Sequence, residues 1–285
     1  MSRLFLWIVF AGLALAEASS TELERARTLY ERTEYKAVLD LLNPVPGKNA
    51  ETYALLGQAR LMNGEHKRAA EMFEKAVALE PGNSRYMHWL GRAYGLQAES
   101  ANVFSAPGLA VKARQAFERS VALDPSNKEA LNDLFEFYMD APGLLGGGLN
   151  RAEQLIPQIA RTDEAEGHFA KAQLADKRKD FNSAEQQLRR AMELAPRQVG
   201  RVLDLAKFLS RHGRFSESDQ VFAQALKLAP NSPQVMYDRA AMLIQQKRNL
   251  DEAGALLERY LKSPLTPDNV PREKAIELLK LAKGG

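Results

Sequence analysis

The four histidines, His66, His88, His168 and His212, are the residues best suited to metal binding or acid–base chemistry. No two of them stand at the spacing of metal ligands, and no His-Glu-x-x-His motif occurs. The chain has no cysteine and no recognisable serine nucleophile motif. Acidic residues are abundant, but charged residues normally cover helix surfaces, so their number is no evidence of a catalytic site. We therefore expect no metal, no cofactor and no enzymatic activity.

A proline that recurs at a fixed interval indicates which kind of secondary structure the chain forms. Three prolines are spaced 34 residues apart, and two earlier ones keep the same phase once an insertion is allowed for. They are Pro81, Pro125, Pro196, Pro230 and Pro264. Each of the first four closes a similar phrase, such as Ala-Leu-Glu-Pro at 78–81 and Lys-Leu-Ala-Pro at 227–230. This period indicates a stack of helical repeats, each burying its apolar face against its neighbours.

The best repeat unit reads Tyr53, Leu56, Gly57, Ala69, Phe73, Ala76 and Pro81. This pattern resembles the tetratricopeptide repeat, a helix–turn–helix of about 34 residues. Gly57 lacks a side chain where the first helix presses against the second, and Phe73 fills the space between small residues. Pro81 cannot continue a helix, so it ends the second one.

The pattern returns along nearly the whole chain, with a divergent unit that has Phe135 where a small residue belongs. The predicted boundaries are 1–18 for a signal peptide, 19–49 for a degenerate helix pair, 50–83, 84–127, 128–164, 165–198, 199–232 and 233–267 for repeats, and 268–285 for a capping helix. The resemblance implies an all-α, right-handed α-solenoid of about six or seven helix pairs. The capping helix is expected over Arg272–Lys283, with Ala275, Leu278, Leu279 and Ala282 on its apolar face.

The resemblance also implies a concave groove lined by the first helix of each pair. The residues at groove-facing phases are His88, Arg92, Asn132, Glu136, Phe169, Gln173, Leu203, Lys207 and Tyr237, and Trp89 lies at the border. Some tetratricopeptide domains clamp a terminal carboxylate with Lys and Asn, but this chain does not reproduce that set. The alternative is a solvated groove without a ligand, and for Trp89 a role in the core.

Two consecutive units carry extra residues between their paired helices, at 95–108 and 140–149. Both inserts contain Ala-Pro-Gly-Leu, and both should emerge from the same edge of the stack. Their apolar residues are Phe104, Leu109, Leu144 and Leu145. The inserts either contact a ligand or only fold over each other. A phosphate site is not favoured, because no Gly-x-x-x-x-Gly-Lys-Ser/Thr motif is present.

The N-terminus has the three-part layout of a secretory signal peptide. Arg3 gives a positive start, Leu4–Ala16 is an unbroken apolar run, and small-x-small sites end at Ala16 and Ala18. The run is short for a membrane span, which needs about 20 residues. We expect cleavage near residues 16–18 and export, best matched by a bacterial periplasm; the alternative is an uncleaved N-terminal anchor.

The charge balance argues against nucleic acid as a partner. The net charge is +3, from 39 basic and 36 acidic residues spread along the length, whereas phosphate binding needs concentrated Lys and Arg. We expect a scaffold that binds a peptide or protein segment in its groove, with the inserts adding specificity. Membrane contact is expected only through an uncleaved signal segment or a membrane-protein partner. The alternative function is a structural component of an envelope, secretion or wall-synthesis complex.

Overall fold

The computed structural model describes residues 21–284, and every regular element within that range is a helix. The helices are α1 (21–31), α2 (Tyr35–Leu42), α3 (Ala50–Met62), α4 (His66–Leu79), α5 (Ser84–Glu99), α6 (Ala106–Leu123), α7 (Lys128–Asp140), α8 (Leu149–Thr162), α9 (Glu164–Lys177), α10 (Phe181–Leu194), α11 (Val199–Arg211), α12 (Phe215–Leu228), α13 (Pro233–Gln245), α14 (Leu250–Lys262) and α15 (Arg272–Ala282). The predicted all-α repeat fold, with a closing helix after the pairs, is confirmed. The predicted signal peptide lies outside the described residues.

Short connecting phrases end one helix pair and begin the next. Pro81 lies two residues beyond the end of α4, and the other periodic prolines have the same place after α6, α10, α12 and α14. Asn83 and Asn127 then cap the following first helices. Asn83 accepts hydrogen bonds from two backbone N–H groups of the first turn, and Asn127 accepts one. Proline therefore stops the second helix, and the polar cap starts the next first helix.

In several of the pairs, the second residue after the first helix lies in the left-handed region. Gly64 and Gly213 have φ of +75° and +77° there, and Lys179 has φ of +64° at the same point of its pair. This conformation reverses the chain tightly enough for the second helix to pack against the first. The α5–α6 and α7–α8 connections, which carry the inserts, replace this turn.

Glycine on the first helix lets the second helix approach closely. A Cβ built on Gly57 would lie 2.8 Å from the Phe73 ring, and one on Gly91 would lie 2.6 Å from the Phe117 ring. The prediction that Gly57 stands at a helix–helix contact is confirmed. Ala69, Ala76 and Ala191, predicted as small sites, are all buried.

The chain divides into two compact units. The first comprises the described residues up to Phe137 together with Ala141–Gly146, and the second comprises Tyr138–Asp140 and the chain from Gly147 onwards. Phe73 lies in the core of the first unit. Phe222 and Leu257 lie in the core of the second.

The inserts differ from the loops that their composition predicts. Residues 95–99 extend α5 and residues 106–108 form the start of α6, so that only 100–105 connect the two helices. Leu109 is therefore a helical residue, and its assignment to a loop is wrong. Pro107 is accommodated because the first turn of a helix needs no N–H donor there. In the second insert, Gly143–Leu145 form a single 3₁₀ turn.

The chain ends on a helix that covers the preceding pair. α15 packs against α14 and α13, with Ala275 and Ala282 buried and Leu278 and Leu279 partly buried against the same core. The predicted apolar face of the capping helix is confirmed. None of the described helices combines the length and the hydropathy that crossing a bilayer requires.

Candidate functional site

In the first unit, α5 and α7 form a cluster around the carboxylate of Asp133. His88 Nε2 lies 2.7 Å from Asp133 Oδ2, and Arg92 Nε lies 3.6 Å from the same oxygen. His88 is only 5% exposed and lies beside the rings of Trp89 and Phe117. The expectation that His88 lines an open groove is therefore wrong, because its ring is enclosed by aromatic groups and held by Asp133.

Trp89 belongs both to the core and to the surface. One face of its ring stacks on Phe73, with centroids 6.0 Å apart and planes 13° apart. The Arg92 guanidinium lies 4.7 Å from the centroid of the indole. Arg92 itself is exposed, so an approaching partner would meet its charge and the edge of the indole together.

Trp89 also borders a hollow of about 270 Å³ in the first unit. Three successive first helices, α1, α3 and α5, supply the wall, and Trp89 is the one residue of the predicted site that lines it. The lining residues are Arg27, Tyr30, Glu31, Glu51, Ala54, Leu55, Gln58, Arg85, Tyr86 and Trp89. The surface thus alternates aromatic rings with charges of both signs, and Arg27 is held by Glu24 and Glu51. Asn132, partly buried, and Glu136, exposed, lie on α7 of the same unit.

In the second unit, a charged network runs along the first helices. Arg201 on α11 bonds Glu166 on α9 and lies 3.0 Å from Asp204 Oδ2. Its guanidinium also lies 4.6 Å from the centroid of the Phe169 ring. Lys207 Nζ lies 2.6 Å from Asp238 Oδ2 on α13. These ion pairs join the first helices of three successive pairs.

One carboxyl of this network has a strongly altered proton affinity. Burial raises the pKa of Asp204 from 3.8 to about 6, because the loss of hydration outweighs the attraction of Arg201 and Lys207. A small hollow of about 100 Å³ adjoins it and brings together Phe169, Gln173 and Lys207, three of the predicted groove residues.

Two other residues that were predicted to line the groove, Leu203 and Tyr237, do not line the hollow beside Asp204. Leu203 is fully buried, because its face of α11 packs into the core, so its assignment to an open groove is wrong. Tyr237 is partly buried, and its ring centroid lies 5.4 Å from that of Tyr260.

A second hollow of this unit, of about 450 Å³, was not predicted. It lies among α8, α9 and α10, with Ile156, Pro157 and Leu174 in its wall and the Glu153–Arg178 ion pair at its border. The one sequence signal for this hollow was Pro157, a proline in the interior of α8.

The apolar residues of the inserts are mostly uncovered. Phe104 is 93% exposed and Leu144 is 86% exposed, whereas Leu145 is partly buried. The alternative in which the inserts fold over each other and bury Phe104 and Leu144 is therefore wrong. No group of His, Asp or Glu suited to a metal ion occurs within residues 21–284.

Comparisons with known proteins agree with these repeats. Models of the tetratricopeptide repeat match residues 50–83 in the first unit, and 165–198 and 203–270 in the second. A segment of 110 residues is 31% identical to the protein O-mannosyl-transferase Tmtc1 of Drosophila melanogaster. That match covers 38% of this chain and 13% of the Drosophila protein, so the chain spans only a small part of that relative.

Solved structures show the same fold at low sequence identity. A tetratricopeptide repeat protein from Parabacteroides merdae is 15% identical, with a TM-score of 0.60 over 94% of this chain and 99% of that one. Yeast Tom70 is 20% identical, with a TM-score of 0.58 over 87% of this chain and 49% of that one. Repeats of this kind offer extended surfaces for protein interaction. This chain is a member of the tetratricopeptide repeat family, with an α-solenoid fold that serves as a protein-interaction scaffold.

Proposed function

We propose that this protein is an exported scaffold that binds an extended or helical segment of another protein on the faces of its first helices. The observation that carries the proposal is the hollow beside Trp89 in the first unit. Its wall comes from first helices only, and it presents Tyr30, Tyr86 and Trp89 between charged side chains. Aromatic residues and arginine dominate the binding energy of protein interfaces, so this surface suits a peptide ligand.

The chemistry of the surface suits binding better than catalysis. Several ionisable groups near Trp89 pair with one another: Asp133 with His88 and Arg92, and Arg27 with Glu24 and Glu51. In the second unit Asp204 has a raised pKa, but its neighbours are Arg201 and Lys207, which hold other carboxylates. No nucleophile accompanies it in these contacts. The absence of enzymatic activity stays a prediction.

Export is proposed from the N-terminal sequence. The order of Arg3, the apolar run Leu4–Ala16 and the small residues before Ser19 is that of a cleaved signal peptide. N-terminal sequencing of protein from the envelope fraction should begin at Ser19 or Glu17. Recovery of the intact chain from the cytoplasm would contradict export and leave the groove proposal standing.

The binding surface is tested with peptides selected on the full chain from a random peptide library. Affinities are then measured by titration for the wild type, Trp89→Ala, Arg92→Ala and the control Gln186→Ala, which is exposed on a second helix. We expect Trp89→Ala and Arg92→Ala each to weaken binding by more than about 1 kcal/mol, and the control to leave it unchanged. Circular dichroism checks that helix content is kept. Selected peptides that bind both variants as tightly as the wild type would contradict the proposed site.

A further inference from the structure

The paired helices α5 and α6 extend beyond the preceding pair of the first unit. α5 has 16 residues and α6 has 18, whereas α3 and α4 have 13 and 14. At about 1.5 Å per residue, the tip of this hairpin projects by roughly one helical turn. Val103 and Phe104 occupy the tip and are 79% and 93% exposed.

The tip has a defined conformation that directs these side chains outward. Asn102 Oδ1 accepts hydrogen bonds from the backbone N–H groups of Phe104 and Ser105, at 3.0 and 3.1 Å. The N–H of Ala106 donates to the carbonyl of Asn102 at 3.0 Å, which leads directly into α6. Folding therefore holds two consecutive apolar side chains, Val103 and Phe104, in water.

The second insert is attached to the same hairpin. Arg114 on α6 donates from Nε to the carbonyl of Leu145 at 3.1 Å. Its side chain also fills the space beside Gly146, where a Cβ would lie 2.6 Å from Nε and where φ is +91°. The 3₁₀ turn thus rests on α6, with Leu144 exposed. We call Val103, Phe104 and Leu144 the insert edge.

Charged residues are sparse in the two segments that carry the insert edge. Glu99 is the only charged residue between Gly95 and Val111, and none lies between Ala141 and Asn150. The chain as a whole is 26% charged. A surface that stays in water has no need to lack charged residues. A surface that enters an apolar medium does, because charged groups are strongly disfavoured in such a medium.

We propose that the insert edge contacts a lipid surface, with Phe104 entering the boundary between headgroups and acyl chains. A specific protein interface buries about 800 Å² on each partner, and three side chains on two turns offer roughly half of that. A bilayer needs no complementary surface and takes single projecting aromatic and aliphatic side chains. The apolar run Leu4–Ala16, which we propose as a signal peptide and which could alternatively act as an anchor, would bring the chain to a membrane. The inserts then contact lipid rather than adding specificity to the groove.

The deciding test measures contact with acyl chains directly. Phe104→Trp and the control Leu79→Trp are prepared in the full chain; Leu79 is another exposed apolar residue of the first unit, at the end of α4. Emission is recorded with phosphatidylcholine vesicles that do or do not carry brominated acyl chains. We expect bromine to quench Phe104→Trp more than Leu79→Trp, which has the same tryptophan background. Equal quenching of the two variants would overturn the proposal, whether or not the chain binds vesicles by another segment.

A flotation assay measures the strength of the contact. Where the insert edge is the main lipid contact, Phe104→Asp should lower partition into neutral vesicles by about 10- to 100-fold, as expected for one phenylalanine side chain, and Leu79→Asp should not. Helix content and melting temperature should stay unchanged, because both side chains are exposed. Self-association of the wild type that Phe104→Asp abolishes, without selective quenching, would assign the edge to a second copy and overturn the lipid proposal.

Discussion

At the residue scale, the contact between α5 and α6 depends on the missing side chain of Gly91. A Cβ there would lie 2.6 Å from the ring of Phe117, which is buried. We expect Gly91→Ala to lower the free energy of unfolding by about 1–3 kcal/mol through overpacking.

Gly95 on the same helix is the matched control. No atom lies within 4 Å of a Cβ built there, so Gly95→Ala should be neutral or stabilise by up to about 1 kcal/mol through helix propensity. Urea titration measures both variants. Equal changes in stability for the two substitutions would show that the Phe117 contact does not set the effect at Gly91.

The raised pKa of Asp204 predicts a pH-dependent stability. The carboxyl ionises near pH 3.8 when unfolded and near pH 6 when folded, so the folded state binds more protons between these values. Its contribution to stability therefore falls as the pH rises from about 4 to 6, by at most about 3 kcal/mol. Asp204→Asn should raise the melting temperature at pH 8 relative to the wild type and have little effect near pH 3.5. A larger gain at the lower pH would contradict the assigned direction.

The sequence predicted some buried residues and not others. Gly57 and Ala191 were predictable because each occupies a position that the repeat keeps small. Ser120 holds the position that Ala76 and Ala191 occupy in other repeats, but here its hydroxyl donates to the carbonyl of Ser84 at 2.8 Å. Ser84 Oγ in turn accepts from Asn127 Nδ2 at 2.7 Å. These partners come from α5, α6 and the cap that precedes α7, so only packing could reveal the network. A serine in a position where other repeats have alanine was its one signal in the sequence.

At the element scale, the same four residues produce two structures. Ala-Pro-Gly-Leu begins α6 at Ala106, and at Ala141 it leads into a 3₁₀ turn. Proline and glycine predicted loops in both places, but a proline in the first turn of a helix loses no hydrogen bond. The sequence therefore located the insertion and its approximate length, while the division between helix and loop depended on how far α5 and α6 could continue to pack against each other.

Two exposed prolines in helices allow a matched stability experiment. Pro157 lies in the interior of α8, where the carbonyl of Glu153 has no N–H to accept from, whereas Pro107 lies in the first turn of α6. Pro157→Ala should stabilise by about 1–3 kcal/mol, and Pro107→Ala should be neutral or slightly destabilising. Both substitutions give the unfolded chain the same additional conformational freedom. The difference between their urea midpoints therefore measures the cost of proline in the interior of a helix. A gain of the same size at Pro107 would contradict this explanation.

At the scale of the whole molecule, each of the two compact units has buried core residues of its own. The core around Phe73 belongs to the first unit, and the core around Phe222 belongs to the second. The repeat period predicted a stack of similar helix pairs, but it did not predict this division. The division falls in the divergent repeat, where Phe135 occupies a position that is small elsewhere and no closing proline follows α8. The candidate surfaces accordingly fall into two sets, one around Trp89 and one around Asp204.

This distribution predicts that a substitution affects protection from hydrogen exchange locally. In stacked repeats each unit contacts only its neighbours, so Gly91→Ala should speed amide exchange in α5 and α6 while leaving α11–α14 unchanged. The reciprocal variant is Ala225→Leu, which overpacks the fully buried small site on α12 and should speed exchange in α11–α14 without altering α5. Mass spectrometry of exchanged peptides measures both patterns on the full chain. Uniform loss of protection along the chain in both variants would show that it unfolds as one cooperative body, and the description as a stack with local stability would then be wrong.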